Sequence, residues 1–117
     1  MIYGYARVST KTQEDNTSLK NQVDTLLENG CTKIYKEVYT GATMNRPEFS
    51  KLLKELNEED TIIVTKLDRF TRTTQEGINM IKLLTDRGIK VNILNMGIVD
   101  INNATGQMMF TILTAFS

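Results

Sequence analysis

The chain has 117 residues, enough for one domain with a single core, and its 40% hydrophobic and 24% charged residues mark an ordinary globular sequence. Its 14 cations balance its 14 acids, so bulk charge gives it no means of coating nucleic acid. It has no histidine and one cysteine, which excludes a Ser-His-Asp triad, a Cys-His pair, histidine or thiolate metal sites and an internal disulfide.

Ile2 to Val8 is short, apolar and aromatic, and reads as a buried strand. Tyr3 and Tyr5 alternate with Gly4 and Ala6, so core packing is expected for at least one tyrosine. A polar stretch follows from Ser9 to Thr17. A helix is predicted from Ser18 to Asn29, with Ser18 as N-cap, Leu19, Val23, Leu26 and Leu27 as its apolar stripe, and Gly30 as its terminator. Lys33 to Tyr39 is a second strand, and Thr40 to Arg46 a loop. Pro47 suits the first position of a helix that continues to Asn57, with Phe49, Leu52, Leu53 and Leu56 turned inward. Thr61 to Thr65 is β-branched at every position and is the clearest strand. A third helix is predicted from Thr74 to Arg87, burying Ile78, Met80, Ile81 and Leu84 and closed by Gly88. Ile89 to Asn95 is a fourth strand, Gly97 to Asn102 is irregular or a short edge strand, and Asn103 to Ser117 begins a last helix.

Strands alternating with helices indicate a three-layer α/β domain with a mainly parallel sheet of four to five strands. Ligands of such sheets bind beyond the carboxyl ends of the strands. Arg7 and Ser9 follow strand one, Arg46 follows strand two, and Lys66, Asp68, Arg69 and Arg72 follow strand three, so the topology brings them to one edge. The chain has only five arginines, and four of them are in this set. Arginine's planar fork matches phosphate oxygens better than the point charge of lysine. Outside Arg7, Arg46, Lys66, Asp68, Arg69 and Arg72 there remain 9 cations against 13 acids, which predicts a cationic site on an acidic body. Ser9 would stand in its middle. No clustered set of acids offers a magnesium site, and no metal or cofactor is expected.

The last segment breaks the amphipathic pattern. Met108, Met109, Phe110, Ile112, Leu113, Ala115 and Phe116 are too many apolar residues for one helix face. The excess predicts contact with a second copy. No apolar run is long enough to span a membrane and the N-terminus lacks a signal pattern, so a cytoplasmic protein is expected.

Taken together, Tyr5-Ala6-Arg7-Val8-Ser9-Thr10 with Gln13, Arg46 after Gly41, Lys66-Leu67-Asp68-Arg69 with Arg72, and Gly106-Gln107-Met108 through Thr111 to Ala115 resemble the serine recombinases of the resolvase/invertase group. The resemblance runs through the whole chain in the family's order. It implies a resolvase-like catalytic domain over residues 1–102, with 103–117 as the truncated start of a C-terminal dimerisation helix. It implies a site-specific recombinase that resolves, inverts or integrates DNA. Ser9 would attack a phosphodiester and form a 5′-phosphoserine linkage, with Arg7, Arg46, Arg69 and Arg72 around the scissile phosphate. Asp68 would organise that site or handle protons, and Gln13, Gln22 and Lys66 would contact substrate. The implied partners are duplex DNA at a specific site and a homodimer that forms a synaptic tetramer. The chain departs from the family in Phe70-Thr71, where Leu-Gly is common, and in stopping before the usual Glu-Arg pair and helix-turn-helix domain.

Fixed guanidiniums stabilise charge that develops around phosphorus, as metals do elsewhere. A phosphoserine link conserves the phosphodiester, so religation needs no nucleotide. Asp68 among arginines is held as the carboxylate and makes a poor base; the group that takes the serine proton stays unassigned. Two other classes share the fold. A receiver-like, non-enzymatic phosphate-binding domain places acids at the strand ends, where this chain has cations. A degenerate recombinase kept as an interaction module has no need of Ser9 and four arginines.

Overall fold

The computed structural model describes residues 1–8, 13–38, 46–66, 69–70, 74–94, 97–99 and 108. Their order is β1 (Ile2–Val8), α1 (Gln13–Glu28), β2 (Lys33–Val38), α2 (Pro47–Glu55), β3 (Thr61–Val64), α3 (Thr74–Asp86), β4 (Lys90–Ile93) and β5 (Gly97–Val99). The strands form one sheet in the order β2-β1-β3-β4-β5. The first four are parallel and β5 runs antiparallel at the edge. The mainly parallel α/β sheet expected from the sequence is what the chain forms, and Gly97–Val99 takes the edge-strand alternative. Among the described residues, no helix is long and apolar enough to cross a membrane.

Period-two alternation along β1 divides the core between two faces. Tyr3 and Tyr5 join Phe49 and Leu52 of α2, Ile81 and Leu84 of α3, and Ile62, Val64, Val91 and Ile93 of the sheet. Ala6 faces the other way and packs with Leu26, Cys31 and Ile63, flanked by Leu19 and Val23 of α1. Helix α1 therefore covers one face, and α2 and α3 cover the other. Tyr5, Phe49 and Phe70 stack edge to face, with centroids 5.0 and 5.8 Å apart. Each such contact contributes about 0.5–1.5 kcal/mol beyond burial. Phe70, at the first position of the Phe-Thr departure, is completely buried.

Both glycine stops act as the spacing predicts. Gly30 and Gly88 have φ of +90° and +79°. In each case the following amide donates five residues back, Cys31 to Leu26 and Ile89 to Leu84, as in a Schellman closure. Two details of α1 differ from expectation. It starts at Gln13, so Ser18 lies inside the helix and is no N-cap. Residues 13–17 are polar in sequence and carry no apolar stripe to reveal a helix. Leu27 is 56% exposed. The sheet takes Leu19, Val23 and Leu26, and Leu27 lies one step, about 100°, beyond Leu26. The expected last helix lies outside the described residues except for Met108, which is helical and exposed.

Gly4 of β1 is closely covered by Leu26 of α1, by Cys31 and by Ile34 of β2. A Cβ there would lie 3.0 Å from Cys31 Sγ, 3.1 Å from Leu26 Cδ1 and 3.3 Å from Ile34 Cγ1. Gly4→Ala is therefore expected to overpack this layer and destabilise the domain by about 1–3 kcal/mol. Denaturant unfolding should show a lower midpoint at unchanged slope; an unchanged midpoint would show that the layer has slack.

Candidate functional site at the carboxyl edge of the sheet

The strand order reverses between β1 and β3. The chain steps from β1 to β2 on one side, then crosses back to lay β3 on the other. In open α/β sheets this reversal opens a crevice at the carboxyl edge. β1 is registered with β2 as far as Val8↔Val38, but with β3 only from Ile2↔Thr61 to Gly4↔Ile63. Arg7 lies three residues past the last β1–β3 pair. Its main chain needs partners on that side.

Side chains supply them. The Gln22 amide accepts from Arg7 N–H at 3.1 Å through Oε1 and donates to Arg7 C=O at 3.1 Å through Nε2. A primary amide has the donor and acceptor of a peptide group, so Gln22 substitutes for a neighbouring strand. It is 6% exposed. Arg69 completes the arrangement by donating Nη1–H to the same Arg7 carbonyl at 3.3 Å. The end of β1, helix α1 and the segment after β3 are thereby joined. Gln22, expected to contact substrate, has both ends of its amide engaged by Arg7.

A second network lies on the opposite face. Glu37, in register with Arg7 across β1 and β2, is 3% exposed. Its carboxylate accepts from Tyr5 Oη–H at 3.0 Å, from Phe49 N–H at 3.2 Å and from Glu48 N–H at 3.2 Å. The last two are orphan donors of the α2 N-terminus. Glu37 thus caps a helix from a neighbouring strand, while the residue in the N-cap position, Arg46, makes no side-chain cap. Arg46 closes the network. Its Nε–H donates to Tyr5 Oη at 3.4 Å, its Nη2–H to the Phe70 carbonyl, and its Nη1 pairs with Glu76 at 3.5 Å. The guanidinium lies 4.1 Å from the centroid of Phe49, within cation–π range. Its side chain is 10% exposed. Arg46, expected among the cations around a phosphate, has interior partners that tie the start of α2 to the segment after β3.

Lys66 is exposed and receives Arg69 N–H at its carbonyl, 3.1 Å away. Gln13 is the first residue of α1. Arg7 is half-buried and engaged. Ser9, Asp68 and Arg72 lie outside the described residues. The structure thus brings Arg7, Gln22 and Arg69 together at the reversal, with Arg46 packed on the α2 side. Sequence reasoning missed Glu37 and the phenol of Tyr5. The available signal was an acid between strand residues, ten positions before a Pro-initiated helix. Among the described residues no group of His, Cys, Asp or Glu could hold a metal ion.

The geometry joins Arg7, Gln22 and Arg69 at the β1/β3 reversal, and comparison with known proteins gives the family of the chain. The pattern described as "Resolvase, N terminal domain" matches residues 2–117. The chain belongs to this resolvase N-terminal domain family. It is 33% identical over 118 residues to the transposon Tn917 resolvase of Enterococcus faecalis, covering all of this chain and 61% of that protein. It is 35% identical over 117 residues to the serine recombinase gin of Escherichia phage Mu, covering all of this chain and 57% of that protein. The chain therefore spans about three fifths of the length of these curated relatives. The N-terminal catalytic domain of TP901-1 integrase superposes with a TM-score of 0.74 at 28% identity, over 98% of this chain and 92% of that one. The proteins this chain resembles include resolvases, invertases and the catalytic domain of an integrase.

In this resolvase-family domain burial pushes the Tyr5 phenol up to about 12. The Glu37 carboxylate reinforces that rise and Arg46 opposes it. A folded-state value above the ordinary 10 means that the native state holds this proton more tightly. The associated stability is full below pH 10 and is lost as pH rises through about 12. An ultraviolet titration should show a late tyrosine that disappears in Tyr5→Phe. Ionisation of all four tyrosines together near pH 10 would contradict the network.

Proposed function

We propose that this domain is the catalytic domain of a serine site-specific recombinase, which cuts and rejoins duplex DNA through a 5′-phosphoserine intermediate. The observation that carries the reading is the Arg69–Arg7 link across the β1/β3 reversal in a member of the resolvase family. It holds the Arg69 guanidinium against the Arg7 main chain at the edge where such sheets bind ligands, two residues along the chain from Ser9.

Ser9 Oγ attacks the scissile phosphorus and the bond to the 3′ oxygen breaks. The proton lost by the serine is matched by the one gained at the leaving 3′ hydroxyl. Attack by a 3′ hydroxyl on the phosphoserine reverses the step and restores a DNA strand. Arg7, Arg69 and Arg72 would neutralise the growing charge on the phosphoryl oxygens. Asp68 would orient them, Arg46 would brace the segment that bears them, and Gln13 and Lys66 would contact the flanking strand.

The proposal extends to assembly and place. Residues 103–117 would form the opening turns of a helix shared between two copies, and two such dimers would form the synaptic tetramer. Residues 1–102 would be the catalytic unit. The cytoplasm, where the DNA of a mobile element is accessible, is the proposed location. The resolvases, invertases and integrase among the relatives support the DNA substrate without choosing among resolution, inversion and integration.

The test joins this domain to a sequence-specific DNA-binding module and scores cleavage of a site-bearing plasmid. Ser9→Ala is expected to abolish the covalent protein–DNA adduct and leave binding intact. Arg69→Lys and Arg7→Lys should each lose on the order of a hundredfold in cleavage rate, because a point charge cannot replace a planar fork. Normal strand exchange by Ser9→Ala would remove Ser9 from the mechanism. Retention of most activity by either lysine variant would show that charge alone suffices.

A further inference from the structure

Helix α1 carries two adjacent stripes. Leu19, Val23 and Leu26 pack toward the sheet. Ser18, Asn21, Gln22 and Thr25 repeat at i, i+3, i+4 and i+7 and form a polar stripe beside it. That stripe is one wall of an open groove of about 690 Å³. Thr65, Lys66 and Arg69, after β3, form the opposite wall, and Leu94 closes the end. The volume is within the range of ligand clefts.

The lining has a consistent chemistry. Among the described residues it holds hydroxyls, amides and two cations, with no carboxylate and no aromatic ring. Asn21, Thr25, Thr65 and Lys66 can donate to phosphate and sugar oxygens, and no carboxylate in the lining repels an anion. Proteins that capture single-stranded bases do so on aromatic platforms, which this groove lacks. Its chemistry therefore suits a sugar–phosphate backbone, read without regard to sequence. Arg69 belongs to both places: it lines the groove and donates to the Arg7 carbonyl beside the strand end. A polymer held at Arg7 and Arg69 would meet the groove one step farther along.

We propose that this groove between α1 and the ends of β3 and β4 is the track for the DNA sugar–phosphate backbone flanking the cleaved phosphate, with Asn21, Thr25, Thr65 and Lys66 as its contacts. The inference rests on the reading of the strand-end site as a DNA-cleavage site. Asn21 and Lys66 are exposed on the surface, so they can be changed without disturbing the core.

The test is a nuclear magnetic resonance titration of the 117-residue chain with three probes: a short random-sequence duplex, the same duplex nicked at its centre, and inorganic phosphate. Weak non-specific binding, around 10⁻⁴ M, is well suited to this readout. Duplex is expected to shift the amides of residues 18, 21, 22, 25, 65 and 66 in a saturable, salt-sensitive way. Asn21→Glu and Thr25→Glu should each weaken that binding at least fivefold, and Lys66→Ala should reduce the salt slope by about one. Unfolding midpoints of the variants guard against a trivial loss of fold. Three results would overturn the proposal: DNA shifts confined to residues near Arg7 and Arg69, glutamate variants that are folded and bind as tightly as the parent, or inorganic phosphate reproducing the whole pattern. The adduct assay is read separately. An adduct formed at the parental rate by both glutamate variants removes the backbone track and keeps the strand-cleavage reading. Groove binding without any adduct removes the cleavage reading and leaves a DNA-binding groove.

Discussion

Main-chain pairing between β1 and β3 stops at Gly4↔Ile63, while β1 continues to Val8. The rest of the site depends on that mismatch in length. A strand that outruns its neighbour leaves peptide groups without a ladder, and burying them unpaired costs about 1–3 kcal/mol each. The chain meets this cost at Arg7 with the Gln22 amide and the Arg69 guanidinium. The repair also sets position. Gln22 comes from the helix after β1 and Arg69 from the segment after β3, so satisfying one peptide group aligns three parts of the chain. Sheet topology places the crevice, and side chains set its width.

The opposite face uses a carboxylate in the same manner. Glu37 is buried, and an uncompensated buried charge is costly. Here it receives three hydrogen bonds, two of them from the first amides of α2, where the helix dipole favours an anion. Arg46 lies one phenol away and supplies the counter-charge through Tyr5. Its remaining named donors go to Phe70 and Glu76, so the polar network ends on the chain that carries Arg69. The aromatic trio of Tyr5, Phe49 and Phe70 excludes water from this side. The two networks grip β1 from both faces, at Tyr5 and at Arg7. For the phosphoryl transfer proposed above this rigidity would have a direct purpose, since in-line attack needs a nucleophile and cations fixed before the charge develops.

Much of this was legible in the sequence because the fold is written in period. Alternation in Ile2–Val8, the β-branched run Thr61–Val64 and the glycine stops at 30 and 88 predict their elements closely. Convergence of Arg7, Arg46 and the segment after β3 follows from a parallel sheet and needs no side-chain detail. What escaped was of two kinds. The first turn of α1 has no apolar residue, so its extent to Gln13 left no periodic trace, and Ser18 took the place of a cap it does not provide. The other kind is pairing at a distance. Nothing local in Lys33–Val38 says that Glu37 caps a helix beginning at residue 47, or that a polar residue on α1 completes the main chain of β1. Such assignments depend on register, which a sequence pattern leaves open by a residue or more.

Arg7 is held by side chains in place of a strand. Amide hydrogen exchange at Arg7, compared between the parent chain and Gln22→Ala, tests this most directly. In the parent chain the Arg7 amide should be protected like its neighbours in β1. In Gln22→Ala it should exchange about ten- to a hundredfold faster, the equivalent of losing about 1.4–2.8 kcal/mol of local protection. Tyr3 and Tyr5 should stay protected. An Arg7 amide that exchanges equally slowly in both proteins would contradict the claim and assign its protection to the sheet.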